Sequence, residues 1–202
     1  MQVLDEKTKG FTLLEILVVV VIVGLISAIA LPNFSDWKKD REIRTVAEKV
    51  ANMFANISTQ TQRGSYPYVQ IYIDPRNNEL KFESRGMSQS TMSTKLNAGT
   101  ALDCKMINTY WTNKKIKEIT SKNVAINFND EGAVCFSKDG SYYEALGKIA
   151  GDVSIILCSR SNSSVCPTTK VDGLIKPAYM IVWSRFANIE KHRWSGDAWT
   201  RQ

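Results

Sequence analysis

The sequence has little of what most catalytic centres are built from. Its 202 residues hold a single histidine, His192, and four cysteines with no Cys-x-x-Cys pair among them. That removes the close-spaced thiolate and imidazole sets from which structural zinc sites are made. There is no Gly-x-Ser-x-Gly, no phosphate-cradling glycine-rich loop and no His-Glu-x-x-His, so the common hydrolase, nucleotide and metalloprotease signatures are absent. A histidine-based triad would rest on His192 alone, near the C-terminus. The acidic residues do not fill the gap. Asp130-Glu131 reads as a solvated turn, Asp74 before Pro75 as turn chemistry, and Asp36, Asp40 and Glu48 as a charged helix face; no Asp-rich loop has calcium-ligand spacing. The reading is therefore of a protein that is not an enzyme, with no cofactor, no metal and no small-molecule substrate. Internal repeats and low-complexity tracts are also missing. The 26 basic and 20 acidic residues leave a net charge of +6, spread rather than gathered into blocks, which suits anionic partners only weakly.

What the chain does have is one long apolar run. Residues 11–31 are long enough to cross a bilayer, and Glu15 is the only charge in them. A lone carboxylate at such a position costs roughly 2.5–3.5 kcal/mol on insertion scales, which makes it a functional candidate by default. No cation within the run answers it. A cut between Gly10 and Phe11 would create one, because the new α-ammonium would lie four residues from Glu15; its most useful partner would be the Glu15 of a neighbouring subunit. A secretory signal peptide would also place charge (Lys7, Lys9) before an apolar core and small residues (Ala28, Ala30) near its end, but Glu15 inside the core argues against it. A plain transmembrane anchor explains neither Gly10-Phe11 nor the glutamate.

Gly10-Phe11-Thr12-Leu13-Leu14-Glu15 resembles the cleavage and methylation motif of type IV pilins and type II secretion pseudopilins. Gly24 and the phrase Ala30-Leu31-Pro32-Asn33-Phe34 also match that family's helix. The resemblance covers about residues 7–37. It implies that a membrane prepilin peptidase cuts after Gly10 and methylates Phe11, and that Glu15, fifth in the mature chain, guides docking in a filament. The partners it implies are other pilin subunits, the peptidase and the bacterial inner membrane, crossed once, with the globular domain in the periplasm.

The expected organisation is a leader over 1–10, a long helix over 11–62 and a β-rich domain over 63–202. In the second half of the helix Phe34, Trp37, Ile43, Val46, Ala47, Val50, Met53, Phe54 and Ile57 recur at spacings of three and four between charged residues, the pattern of one buried stripe. Pro32 separates the halves and should kink the helix or loosen its hydrogen bonds. Strands are expected over 68–73 and 79–83 as one hairpin, and over 124–128 and 133–136 as a second across a turn at 129–132. Further strands are expected over 153–158, 179–186 and 189–194. Residues 84–100 and 159–176 read as exposed loops or linkers. The fold class is α+β, a long helix packed on an antiparallel sheet. This layout resembles the H type of pseudopilin and the T and U types of fimbrial minor pilin.

Two further groups of residues remain. Cys104, Cys135, Cys158 and Cys166 are an even set in an exported domain and read as disulfides. Three pairings are open, and Cys158–Cys166 with Cys104–Cys135 is favoured because the former closes a short polar loop. The C-terminal stretch mixes Arg185, Lys191, His192, Arg193, Trp194, Trp199 and Arg201. Cations neutralise phosphates and indoles stack on bases, so Arg185, Lys191, Arg193 and Trp194 are DNA-binding candidates. Some T-type minor pilins bind DNA through a basic tail carrying Gly-Arg-x-Arg, which this chain lacks. The leading reading is a minor pilin or pseudopilin of a type IV pilus-like or type II secretion filament; the alternative is a DNA-capturing minor pilin of a competence or uptake machine.

Overall fold

The computed structural model describes residues 10–63, 66–104, 111 and 115–202, with the side chains of 28–33, 58, 62 and 115 outside that description. Most of the expected leader, residues 1–9, lies outside the described residues. Two compact units divide the chain, Met1–Lys38 and Lys39–Gln202.

The first unit is almost entirely the opening of helix α1 (Leu13–Gln62). Leu, Ile and Val fill it, and none of the described apolar side chains from Leu13 to Ile26 is buried. Phe34 and Trp37 depart from the expected stripe: both are exposed, their rings 5.6 Å apart on the helix surface. They precede the charged segment in which the buried stripe begins. The helix assignment continues across Pro32.

In the second unit the stripe behaves as its spacing dictates. Ile43, Val46, Ala47, Val50, Met53, Phe54 and Ile57 are all buried, each apolar side chain contributing about 1.5–3 kcal/mol where burial is complete. They sit in one core with residues of two antiparallel sheets. The first sheet has the order β3-β2-β1-β5-β6, formed by β1 (Tyr68–Asp74), β2 (Leu80–Met87), β3 (Lys115–Ser121), β5 (Gly132–Ser137) and β6 (Glu144–Gly147). The second has the order β10-β9-β8-β7-β4, formed by β4 (Val124–Ile126), β7 (Ser154–Ser159), β8 (Ala178–Trp183), β9 (Ile189–Trp194) and β10 (Trp199–Arg201). Period-2 alternation sends Val69, Ile71 and Ile73 of β1 into the shared core, while Tyr68 joins a smaller cluster with Cys104 and Cys135. Phe54 stacks on Trp183 at 5.2 Å and meets Phe136 edge-on at 6.0 Å, tying helix to both sheets.

The first expected hairpin forms, with Ile73 opposite Phe82. Its turn places Asn77 and Asn78 at φ of 57° and 59°, a left-handed region that Asn tolerates better than most residues. The second does not form as a hairpin. β4 pairs with β7 in one sheet and β5 with β1 and β6 in the other, so the connecting residues cross between sheets. Asn127 fixes that crossing by accepting a hydrogen bond from the backbone N–H of Ile156 at 2.9 Å. The stretch 84–100 is also not a loop. β2 continues to Met87, and helix α2 (Gln89–Asn97) follows, capped by Ser88, whose hydroxyl accepts from Thr91 N–H. Serine and threonine there serve a helix start rather than an open linker. Residues 159–176 do form a connection. Leu174 is its buried anchor, packed with the disulfide Cys158–Cys166. The second disulfide is Cys104–Cys135, so both favoured pairings are present.

Candidate functional site

The segment around Gly10 is built by its capping chemistry. Thr12 stands just before α1, and its hydroxyl accepts from the backbone N–H of Glu15 at 3.2 Å. Its carbonyl accepts from the N–H groups of Glu15 and Ile16 at 3.1 and 3.2 Å. Thr12 and Glu15 thus hold the positions of a capping box. The Thr-x-x-Glu spacing is the local sequence signal for this cap. It leaves Gly10 and Phe11 outside the helix and exposed, Phe11 at 79%. Glu15 is in the first turn, where a negative charge is stabilised by the helix dipole. An α-ammonium on Phe11 would meet the same dipole at its unfavourable end, and so would gain from any carboxylate near it.

Beyond Glu15 the helix presents apolar side chains all round. Gly24 has no heavy atom within 4 Å of where a Cβ would stand, and Ser27 folds its hydroxyl onto the carbonyl of Val23 at 2.7 Å, satisfying itself within the helix. Among the described residues, no helix is long and apolar enough to cross a membrane. The side chains of 28–33, which complete the run over 11–31, are outside the described set.

The C-terminal candidates are dispersed rather than gathered. Lys191 and Arg193 lie two residues apart on β9 and face α1. Arg193 pairs with Asp40 at 3.1 Å and Lys191 with Glu48 at 3.5 Å, while Arg44 also holds Glu48 at 2.9 Å. The Arg44 hydrogen bond, followed by Lys191, keeps the Glu48 carboxyl below the usual range. Trp194 points to the opposite face of β9. It is 5% exposed, packed beside Cys158, Cys166 and Trp199, so its indole offers no open face to a base. Arg185 lies in the β8–β9 turn over the Phe186 ring at 4.8 Å, at the other end of β9. The acidic partners Asp40 and Glu48 read as a solvated helix face in the sequence; the structure uses them to bind the helix to the sheet. Tyr179, itself buried, donates its hydroxyl to Asp40 at 3.1 Å, and burial together with the Asp40 charge pushes the phenol up to about 12.

Beside this row, Glu48, Ala51, Asn52 and Ala55 of α1 and Ile189, Lys191 and Gln202 line an open groove of about 460 Å³. On the first sheet, Tyr72 donates to Glu131 at 2.6 Å and Arg76 bridges Glu131 and Asp74. Glu131 is therefore part of a network, whereas Asp130 is more than half exposed. Arg76 holds the Asp74 carboxyl below its ordinary value. Among the described residues no group of His, Cys, Asp and Glu is arranged to hold a metal ion.

Residues 7–31 match the prokaryotic N-terminal methylation motif. The fimbrial protein EcpB of Eikenella corrodens is 31% identical over 88 residues, which are 43% of this chain and 55% of EcpB. The type IV narrow pilus major component PilA5 of Thermus thermophilus is 28% identical over 95 residues, 46% of this chain and 81% of PilA5. A fimbrial protein of Pseudomonas aeruginosa is 23% identical over 179 residues, 86% of this chain and 94% of that protein. The chain spans about half the length of EcpB. No solved structure matches it.

Proposed function

We propose that the chain is a minor pilin or pseudopilin of the type IV pilin family, a structural subunit of a pilus-like filament matured by prepilin peptidase; the methylation-motif match over residues 7–31 and the similarity to fimbrial proteins support this. The observation that carries this reading is the junction at Gly10-Phe11: an exposed, non-helical peptide bond next to a capped helix whose first half is apolar and whose one charge is Glu15. The inner membrane holds the apolar half of α1 until assembly, with the domain on the periplasmic side. Cleavage after Gly10 frees the Phe11 amine, which is then methylated. In the filament the Glu15 of one subunit neutralises the amine of the next, so both charges leave lipid as a pair. Assembly, not turnover, is the activity.

The test is an intact-mass measurement on membrane-extracted protein, with immunodetection in sheared filaments. The expected chain begins at methylated Phe11 and is found in the sheared fraction. An uncut Met1, or a start near residue 31, overturns the reading. DNA capture draws less support, because Lys191 and Arg193 are engaged by helix carboxylates and Trp194 is buried. Titration of the protein with single-stranded and duplex DNA at low salt separates the two: binding lost in Lys191→Ala/Arg193→Ala would favour capture.

A further inference from the structure

We infer that Phe34 and Trp37 form an aromatic collar that seats in the headgroup layer of a phospholipid bilayer; this rests on the reading of 11–31 as membrane-borne. Phe34 is 61% and Trp37 53% exposed, although both recur at the spacing of the buried stripe. Exposing two large aromatic side chains forgoes about 1.5–3 kcal/mol each relative to burial, part of which an interfacial environment would return. Their ring centroids are 5.6 Å apart, which makes one continuous apolar surface on one side of the helix.

Position along the axis identifies the partner. At 1.5 Å per residue, 11–31 spans about 31 Å, against about 30 Å for the hydrocarbon core of a bilayer. With the run centred on that core, Phe34 and Trp37 fall about 4.5 and 9 Å past its end. A headgroup layer is about 5–8 Å thick on each side. Helical side chains lean toward the N-terminus, which brings the Trp37 ring back into that layer. Immediately beyond stands the exposed Lys38, whose ammonium can reach phosphate while its stem lies along the apolar boundary. Aromatic rings at headgroup depth, followed by a cation, are the usual arrangement by which a helix fixes its depth. The collar then sets how far α1 emerges before extraction into a filament. A helix buried against a neighbouring subunit over this stretch would require no such ordering of ring, ring and cation at the end of the apolar run.

The remaining four tryptophans are Trp111, Trp183, Trp194 and Trp199, all buried or partly buried in the second unit, so the difference between the full chain and Trp37→Phe isolates Trp37. The full-length protein is reconstituted at low density in phosphatidylcholine–phosphatidylglycerol vesicles carrying lipids brominated either near the headgroup or near the chain end. The expected result is that the Trp37 component is quenched more strongly by the shallow bromine than by the deep one, is shielded from aqueous iodide, and vanishes in Trp37→Phe. Both proteins float with the vesicles, because the substituted ring remains aromatic. A chain that fails to float removes the membrane reading and the collar with it. A chain that floats while Trp37 remains open to iodide, or is quenched best by the deep bromine, removes the collar alone.

Discussion

From Leu13 to Ile26 helix α1 carries apolar side chains that none of the described residues covers, whereas Ile43, Val46, Ala47, Val50, Met53, Phe54 and Ile57 of the same helix are almost fully withdrawn from water. The two stretches differ less in how apolar they are at those positions than in what lies between them. In the first, valine, leucine and isoleucine follow one another, interrupted only by Glu15 and Gly24. In the second, Arg44, Thr45, Glu48, Lys49 and Asn52 separate the apolar residues into one stripe. A stripe specifies a single face and therefore one partner, here the two sheets of the same chain. An all-round apolar surface specifies only a non-aqueous environment, which lipid or a bundle of other helices supplies. One helix thus serves folding with one half, and the proposed function gives the other half to assembly.

The largest difference should appear on truncating matched side chains. Phe54→Ala, which removes a ring shared by the helix and both sheets, is expected to lower domain stability by about 3–5 kcal/mol. Leu17→Ala should change it by less than about 0.5 kcal/mol. Denaturant unfolding of the full chain in micelles, followed by tryptophan emission, measures both; comparable losses would erase the distinction. Next come the disulfides. Loop-closure entropy scales with loop length, so breaking Cys104–Cys135, with a sequence separation of 31, should cost about 3.5 kcal/mol, and breaking Cys158–Cys166, with a separation of 8, about 2.5 kcal/mol. Peptide mapping without reduction verifies the pairs, and unfolding of each double Ser variant gives the order.

The electrostatic row between helix and sheet should have smaller effects. Tyr179→Phe keeps the buried ring but removes its bond to Asp40, at about 1 kcal/mol. The native phenol is raised from 10.0 to about 12. The unfolded chain therefore ionises first as pH rises, and the stabilisation present below pH 10 is lost between about 10 and 12. Tyr179→Phe should flatten that part of the stability–pH curve. Least of all, Arg44→Ala removes an exposed pair with Glu48 and should lower stability only marginally, by less still with added salt.

How much of this was legible in the sequence depended on whether the signal was local. Gly10, Phe11 and Glu15 stand together in one phrase, and the helical stripe from Ile43 to Ile57 is written in its spacing. Thr12 was legible as a cap through its distance from Glu15. Four strands of the second sheet were legible as strands, but the division into two sheets was not. Val124 to Ile126 and Gly132 to Ser137 flank an ordinary turn sequence, and only pairing with the distant β7 and β1 decides that they part company. For the same reason Trp194 resembled a stacking platform beside Arg193: strand alternation turns one toward the disulfide cluster and the other toward Asp40, and that depends on which face of β9 meets the helix. β3 and the short strands β6 and β10 carry too little apolar alternation to announce themselves, and become strands because neighbouring edges recruit them.

The central claim is that the uncovered half of α1 exists for assembly and that Glu15 is its one specific contact. The most direct measurement is the amount of Glu15→Leu protein, relative to wild type, in sheared filaments and in the membrane fraction of the same cells. The account predicts membrane levels equal to or above wild type, since a carboxylate has been removed from an apolar run, with little or none of the variant in filaments. Equal incorporation of the two proteins into filaments would contradict it.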